Sequence, residues 1–244
     1  MLFNDVYKEE SQEMREKNMI PKKIHYCWFG RGEKPKLAKK CIASWKKYCP
    51  DYEIIEWNED NFDINMNGYT KMCYEQKKYA FLTDYLRLII IEKYGGIYFD
   101  TDVEILKSFD NLLENKGFLG FENNWYVNTG EGFGAEAHNI VVQQMLKEYS
   151  ILLDGKHDVK GCPELNTKAL IKYGLILNGE HQLVHGIEVY PVDYFNPRNS
   201  VTGEVKKTKN TYSIHWYSAS WLPWYKRIRL IITRKIRSII RRRN

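Results

Sequence analysis

Residues 94–104 read Tyr-Gly-Gly-Ile-Tyr-Phe-Asp-Thr-Asp-Val-Glu, and this stretch decides the fold. A helical run ends at the glycine pair, a short apolar strand follows, and Asp100 and Asp102 close the strand. Carboxylates at the carboxyl end of a buried strand lie where open α/β sheets bind ligands. Two of them one residue apart can hold a hard divalent cation, whose remaining positions are filled by water and phosphate oxygens. An isolated Asp-x-Asp is also typical of a solvated turn, but the preceding strand favours the metal site.

Around this stretch the sequence alternates between strand and helix patterns. We predict strands at residues 23–29, 52–57, 97–99, 117–121, 183–190 and 212–215, and helices at residues 36–48, 75–93, 140–153 and 165–173. This order predicts an α/β fold, in which helices flank a mostly parallel, Rossmann-like central sheet. The length of 244 residues fits one main domain. We therefore expect a polar lead over residues 1–19, one folded domain over 20–222, and a basic tail over 223–244.

The basic tail has its own pattern. Residues 226–243 contain nine lysines and arginines and no acidic residue, so the remaining 28 basic and 31 acidic residues leave the body at about −3. Isoleucines recur along it at helical spacing, at positions 228, 232, 236 and 239/240. An amphipathic basic helix of this kind suits an anionic membrane surface. Two alternatives are that the isoleucines pack on the domain, or that the cations bind nucleic acid. Since no nucleic-acid motif occurs elsewhere, we predict no nucleic-acid partner.

The helix predicted before the metal motif carries a second signal. Asp84 and Arg87 lie three residues apart in an otherwise apolar helix, on the face that also presents Ala80. The pair is typical of an exposed ion pair between residues i and i+3. However, the helix leads directly into the strand that ends at Asp100. Near a metal, an arginine can bind phosphate or sugar hydroxyls and an aspartate can accept hydrogen bonds from them.

Other features bear on the cellular location. No run of 18 apolar residues occurs, and the charged N-terminus lacks the apolar segment of a secretory signal. Five scattered cysteines without Cys-x-x-Cys spacing are typical of reduced thiols and not of a zinc site. Together with the tail, these features predict a cytoplasmic protein that is peripheral on the inner face of the cell membrane.

Four segments resemble glycosyltransferase family 32, the DXD-containing sugar transferases with a GT-A fold, whose catalytic core is similar to the glucosyltransferase domain of the large clostridial toxins. They are residues 20–30 (IPKKIHYCWFG), 80–87 (AFLTDYLR), 94–104 (YGGIYFDTDVE) and 214–221 (IHWYSASW). The resemblance implies a single GT-A-type domain. It also implies a retaining transferase that uses a nucleoside-diphosphate sugar and Mn²⁺ or Mg²⁺.

The resemblance implies a metal and a catalytic set. Asp102 would be the direct metal ligand, and His215 would supply a second contact to the metal or the diphosphate. Asp100 would contact ribose, sugar, the metal or a metal-bound water. Asp84 and Arg87 would hold the donor sugar and complete the catalytic set with Asp100 and Asp102.

It also implies a donor-binding set. Trp28 would stack on the nucleotide base, although an indole at a strand end is equally typical of a core. Tyr98 would lie near the donor sugar, and Asn128 would contact sugar or acceptor. The segment that closes over the diphosphate would contribute Ser218, Ser220 and Trp221, and the sequence leaves open which serine makes the contact.

From these residues we expect transfer of a hexose to a saccharide or lipid-linked saccharide during synthesis of a bacterial surface polysaccharide, such as capsule or O-antigen. The donor is expected to be UDP-galactose, UDP-glucose or a UDP-N-acetylhexosamine, rather than the GDP-mannose of fungal family members. Two alternatives use the same residues differently. One is a nucleotide-sugar phosphohydrolase, and the other is a non-catalytic binding protein that the tail recruits to membranes.

Overall fold

The computed structural model describes residues 19–218 and, in the C-terminal segment, residues 225, 226, 228, 229, 231–234 and 237. The strands of the described chain are β1 Lys23–Cys27, β2 Glu53–Trp57, β3 Gly96–Tyr98, β4 Val103–Ile105, β5 Gly117–Asn123, β6 Tyr126–Asn128, β7 Phe133–Ala135, β8 Gln182–Val184, β9 Ile187–Tyr190 and β10 Ser213–His215. Its α-helices are α1 Lys36–Tyr48, α2 Gly68–Glu75, α3 Tyr79–Tyr94, α4 Ile140–Glu148, α5 Cys162–Ile171 and α6 Val192–Phe195.

Eight of these strands form the central sheet. Its order is β2-β1-β3-β7-β5-β9-β8, with β6 paired to β5. Strand β1 is parallel to both β2 and β3, and β5 is parallel to β9. The other pairings are antiparallel, so that five strands point one way and β6, β7 and β8 point the other way. This confirms the predicted α/β fold with a mostly parallel central sheet. Strand β10 pairs antiparallel with β4 in a separate two-stranded sheet.

Helices cover both faces of the sheet, because successive side chains of a strand point to opposite sides. On one face, α2 to α5 pack over a core that contains Leu86 and Tyr98. On the other face, α1 packs with β4 and α6 over a second core that contains Trp45, Ile97 and Phe99. The indole nitrogen of Trp45 donates a hydrogen bond to the carbonyl of Val103, 2.8 Å away. Strand β3 is therefore held from both sides.

Several predicted element boundaries are wrong. The helix predicted over residues 75–93 begins later, at Tyr79, since Lys77 adopts a left-handed backbone conformation (φ 54°) that separates it from α2, a helix that was not predicted. The strand predicted over 183–190 is a hairpin, because His185 and Gly186 both have positive φ and turn the chain between β8 and β9. The helix predicted over 140–153 ends at Glu148 and is followed by a 3-10 helix, Ser150–Leu152. The helix predicted over 165–173 begins earlier, at Cys162.

The glycine pair ahead of β3 is required by the backbone. Gly95 and Gly96 have φ of 61° and 103°, which L side chains rarely adopt, and a Cβ on Gly96 would lie 2.9 Å from the His25 ring. The indole of Trp57 donates to Nδ1 of His25, so Nε2 carries the proton that is donated to the carbonyl of Gly95, 2.9 Å away. Burial lowers the pKa of His25 to about 4. His25 is thus a neutral group that fixes the turn into β3.

The described part of the tail is helical, and its Ile228 and Ile232 side chains are exposed. Arg234 turns back toward the domain and donates hydrogen bonds to the carbonyls of Ser200 and Tyr217, at 2.9 and 3.2 Å. No helix within the described residues is both long and apolar enough to cross a membrane. Residues 1–18 of the predicted polar lead and the isoleucines at 236, 239 and 240 lie outside the described residues. The predicted domain boundaries stay predictions.

Candidate active site

A cleft of about 680 Å³ opens at the carboxyl ends of β1 and β3. The two strands are parallel neighbours, so the residues that follow them reach the same edge of the sheet. Among the residues that line it are nine of the predicted positions: Trp28, Asp84, Arg87, Tyr98, Asp100, Asp102, Asn128, His215 and Ser218. Ser220 and Trp221 lie outside the described residues.

Three candidate metal ligands meet in this cleft. Asp100 and Asp102 follow β3, and the antiparallel pairing of β10 with β4 places His215 opposite Val103, next to Asp102. Nε2 of His215 lies 3.2 Å from Oδ1 of Asp102, and one ligand atom from each of the three residues lies within 4.8 Å of the others. The Ser218 N–H donates to Oδ2 of Asp102 at 2.7 Å. The site is therefore built from two chain segments that are far apart in sequence.

The electrostatics of the two aspartates differ. Burial raises the pKa of Asp100 to about 6, although the Arg87 guanidinium opposes this. Burial also opposes the ionisation of Asp102, but His215 and the Ser218 N–H outweigh it and hold the pKa of Asp102 well below its usual range. For His215, burial disfavours the charged ring, yet the carboxylate of Asp102 outweighs burial and raises the pKa. Asp102 is thus ionised throughout the neutral range.

The chemistry of this donor set fits a divalent cation. Carboxylate oxygens and an imidazole nitrogen are ligands for Mn²⁺, and Mg²⁺ accepts carboxylates together with substrate phosphates. Nδ1 of His215 is buried and has no hydrogen-bond partner among the described residues, so the ring has capacity beyond its contact with Asp102. Asp100, Asp102 and His215 are the described residues that could hold the ion.

Arg87 is buried, with only 2% of its side chain exposed, so it does not form the exposed ion pair that its spacing also allowed. Its Nη2 lies 2.8 Å from Oδ1 of Asp84 and 2.9 Å from Oδ1 of Asp100. Nε donates to the carbonyl of Thr83 at 3.1 Å, and the guanidinium lies 4.8 Å from the ring centroid of Tyr98. Burial opposes the charge on Arg87, but Asp100 and Asp84 outweigh it and raise the pKa. The arginine therefore links α3 to the two-aspartate motif.

The remaining predicted residues line the cleft in different ways. Trp28 is half-buried, and its indole nitrogen donates to the carbonyl of Gly32 at 2.6 Å. Asn128 is buried and accepts the Gly130 N–H at 2.6 Å, while its Nδ2 donates to Glu122 at 3.2 Å. Tyr98 is buried beneath Arg87. Ser218 contacts Asp102 through its backbone N–H, and its side chain also helps to lower the pKa of Asp102.

Sequence reasoning missed several residues of the cleft, among them Glu122 and Tyr217. Glu122 lies near the end of β5, and burial raises the pKa of its carboxyl. An acid after an apolar strand is the same signal that identified Asp100, so this residue could have been found. Tyr217 stacks on His215 with ring centroids 4.2 Å apart and has a φ of 48°. Such backbone strain is common at functional sites but leaves no trace in the sequence.

Comparisons with known proteins identify the family that the chain resembles. Residues 35–119 match the family model described as "Glycosyltransferase sugar-binding region containing DXD motif". Inositol phosphoceramide mannosyltransferase 3 of Schizosaccharomyces pombe is 29% identical over 45% of this chain and 32% of its own length. Subversion of eukaryotic traffic protein A of Legionella pneumophila is 27% identical over 47% of this chain and 22% of its own length. The predicted resemblance to the DXD-containing sugar transferases is confirmed.

A solved structure supports the fold. The chain superimposes on the structure titled "PaToxG Glycosyltransferase" with a TM-score of 0.52 and 18% identity, over 69% of this chain and 76% of that one. This confirms the predicted GT-A-type domain. The chain covers only about a fifth to a third of the length of the two curated relatives above, so what those proteins do as a whole is not carried over with the match.

Proposed function

We propose that this protein is a metal-dependent, retaining glycosyltransferase that moves a hexose from a nucleoside-diphosphate sugar to a saccharide acceptor. One observation carries the proposal. Asp100, Asp102 and His215 converge in a cleft that also contains Trp28 and Arg87, so that a cation site lies beside groups suited to a base and a sugar. The match to the DXD sugar-binding region covers the motif itself.

The reaction would exchange one bond at the anomeric carbon for another. The bond from this carbon to the diphosphate oxygen breaks, and a bond to the acceptor oxygen forms on the same face of the sugar. The acceptor hydroxyl proton passes to the released phosphate oxygen. When bound, a divalent metal supplies positive charge that stabilises the leaving diphosphate. Arg87 and Asp84 are fixed by their mutual ion pair and would orient the donor sugar, which reduces the entropy lost on reaching the transition state.

The donor we propose is a UDP-hexose: UDP-galactose, UDP-glucose or a UDP-N-acetylhexosamine. The half-buried indole of Trp28 at the cleft wall supports a stacked base. Because two relatives are named mannosyltransferases, GDP-mannose is the donor against which the UDP-sugars have to be compared.

We further propose that the tail binds the anionic inner face of a bacterial cell membrane, where the enzyme would extend a lipid-linked saccharide for a surface polysaccharide. The exposure of Ile228 and Ile232 supports this interpretation over packing on the domain. Sedimentation with phosphatidylglycerol vesicles tests it. The double variant Ile228→Ser/Ile232→Ser should lose binding, whereas Ile151→Ser, an exposed isoleucine on the domain, should not. Equal binding by both variants would refute a membrane role for these isoleucines.

Thermal denaturation with each sugar nucleotide, with and without Mn²⁺, tests the activity. A ligand at 100 times its Kd stabilises the folded state by about 2.7 kcal/mol, which raises the Tm by roughly 5 to 10 °C for a chain of this size. We expect such a shift with one donor, only with Mn²⁺, and its loss in Asp102→Asn. The matched control is Asp158→Asn, an exposed aspartate that does not line the cleft.

A turnover assay then separates transfer from hydrolysis. A transferase releases nucleotide faster when an acceptor is added, whereas a phosphohydrolase releases it at a rate that no acceptor changes. A Mn²⁺-dependent shift without turnover of any donor would favour the non-catalytic binding protein. No shift with any donor would contradict the proposed function.

A further inference from the structure

A second cavity, of about 540 Å³, adjoins the proposed donor cleft. The two cavities share a wall made by Glu122 and Tyr217. The second cavity extends from this wall to the turn between β5 and β6 on one side and to the segment after α6 on the other. A ligand in the second cavity would therefore lie next to the donor cleft at these two residues. We call this second cavity the β5–β6 groove.

The far end of the β5–β6 groove presents an exposed indole. Trp125 lines the groove and is 68% exposed, which is unusual for so large an apolar side chain. The turn that carries it is ordered, because Oδ1 of Asn123 accepts the N–H groups of both Trp125 and Tyr126, at 2.8 and 3.1 Å. The backbone that carries the indole is therefore held in place, while most of the side chain is exposed. An aromatic face of this kind is a platform for the apolar face of a flat ligand.

The near end of the groove presents unpaired polar atoms. Asn196 lines the groove and is only 2% exposed, yet its Oδ1 has no hydrogen-bond partner among the described residues. Its Nδ2 donates to the Tyr217 hydroxyl and, at 3.5 Å, to the carbonyl of Glu122, and because a carbonyl can only accept, the nitrogen is assigned to this side of the amide. Nε of Arg198 is likewise buried and unpaired within the described chain, while Nη1 donates to the carbonyl of Trp216 at 2.7 Å. A buried acceptor and a buried donor without partners each cost stability, and the two side chains that carry them line the groove where a saccharide would offer hydroxyl groups.

We infer that the β5–β6 groove binds the acceptor of the reaction, and that this acceptor is a saccharide. The groove combines one aromatic platform with amide, guanidinium and carboxylate groups, which suits a ligand with an apolar ring face and a rim of hydroxyls. Its volume lies within the range of about 300 to 1,000 Å³ typical of small-molecule sites. The acceptor role of the bound saccharide rests on the proposed function, whereas the binding of a saccharide in the groove does not.

Saccharide binding without any donor tests the inference. The probes are lactose, cellobiose, maltose and methyl α-mannoside, observed by saturation-transfer NMR with the full chain. We expect at least one probe to bind and Trp125→Ala to weaken it at least tenfold. Because Trp125 is largely exposed, this variant should fold as the wild type does. The matched control is Tyr126→Ala, which removes the neighbouring aromatic, 42% exposed, that does not line the groove.

A second variant keeps the test independent of the indole. Asn196→Leu keeps the approximate size of the side chain but removes the unpaired oxygen together with the amide nitrogen, and we expect it to weaken binding of the same probe while urea unfolding shows a folded protein. Binding that is unchanged in both Trp125→Ala and Asn196→Leu would overturn the inference, as would the absence of binding by every probe.

The same variants separate this inference from the proposed function. The Mn²⁺-dependent donor shift should be equal in the wild type and Trp125→Ala, because Trp125 does not line the donor cleft. If no donor binds while Trp125-dependent saccharide binding persists, the proposed function fails and the saccharide site stands. If a donor binds but no saccharide does, the function stands and the groove assignment fails.

Discussion

Replacing Gly130 by alanine should disable the proposed site through one misplaced carboxylate. A Cβ built on Gly130 would lie 2.2 Å from Oδ2 of Asp100 and 2.6 Å from Nη1 of Arg87. Real Cβ atoms do not approach other atoms closer than 3.0 Å, so the Asp100 carboxylate has to retreat by nearly 1 Å. The backbone cannot absorb this movement, since the Asp100 N–H is bonded to the carbonyl of Gly130 itself at 2.8 Å.

The size of the effect follows from this displacement. A shift of about 1 Å in a group that positions substrate can cost about 100-fold in rate, which corresponds to roughly 2.7 kcal/mol of transition-state stabilisation. We therefore expect kcat/KM of Gly130→Ala to fall about 100-fold with the donor found by thermal denaturation. The Mn²⁺-dependent shift in Tm should shrink as well, because Asp100 is one of the three candidate ligands.

The matched control is Gly32→Ala. Gly32 also lines the cleft, but among the described residues nothing lies within 4 Å of a Cβ built there, so its activity should stay within about twofold of the wild type. Gly130 does not have a positive φ, so the alanine backbone itself is unstrained. Urea unfolding of both variants verifies that rates are compared between folded proteins. Full activity of Gly130→Ala would refute the placement of Asp100 in the reaction.

Three further predictions concern charge. Arg87→Met leaves two largely buried carboxylates without their cation, and we expect urea unfolding at pH 7 to show a loss of about 3 kcal/mol; a loss below 1 kcal/mol would contradict the pairing. In the presence of EDTA, the wild type and Asp102→Asn should have equal affinity for the donor, whereas with Mn²⁺ calorimetry should show affinities that differ at least tenfold. A difference in affinity that persists in EDTA would mean that Asp102 acts without metal. Glu148 is 3% exposed and bonded by Lys168 and Lys172, and although burial opposes its ionisation, these bonds lower its pKa to about 2 from 4.5. The contribution of ionised Glu148 to the free energy of unfolding is therefore complete above about pH 4.5 and is lost as the pH falls toward 2. After allowance for solvent screening, Glu148→Gln should lower the free energy of unfolding by about 1 to 2 kcal/mol at pH 7 and should leave it unchanged at pH 2.

The sequence predicts those parts of the site that depend on local pattern. Asp100 and Asp102 follow a strand, and the parallel pairing of β1 with β3 brings Trp28 to the same edge. The buried position of Arg87 is less predictable, because the same three-residue spacing also occurs in exposed ion pairs. The structure shows that Arg87 is buried and not part of an exposed ion pair, because Asp100 lies against its guanidinium.

Other parts of the site depend on pairings that no local pattern reveals. His215 reaches Asp102 through the antiparallel pairing of β10 with β4, and β4 was not predicted. Likewise, the two-strand turn that presents Trp125 follows from the pairing of β6 with β5. Hydrophobic periodicity indicates which residues enter a strand, but not which strand will be its neighbour when the two are distant in the chain.

The hydrogen bonds of Arg87 indicate how one buried cation can serve both structure and substrate. Nη2 is committed to Asp84 and Asp100, and Nε is committed to the carbonyl of Thr83. Among the described residues, Nη1 contacts only the sulfur of Cys162 at 3.9 Å, a weak acceptor, so this nitrogen can donate to a donor sugar or phosphate without breaking either carboxylate contact. The two bonded nitrogens hold the third in place before substrate arrives. A lysine at this position has a single nitrogen and could not make these contacts together, which is why the geometry requires a guanidinium.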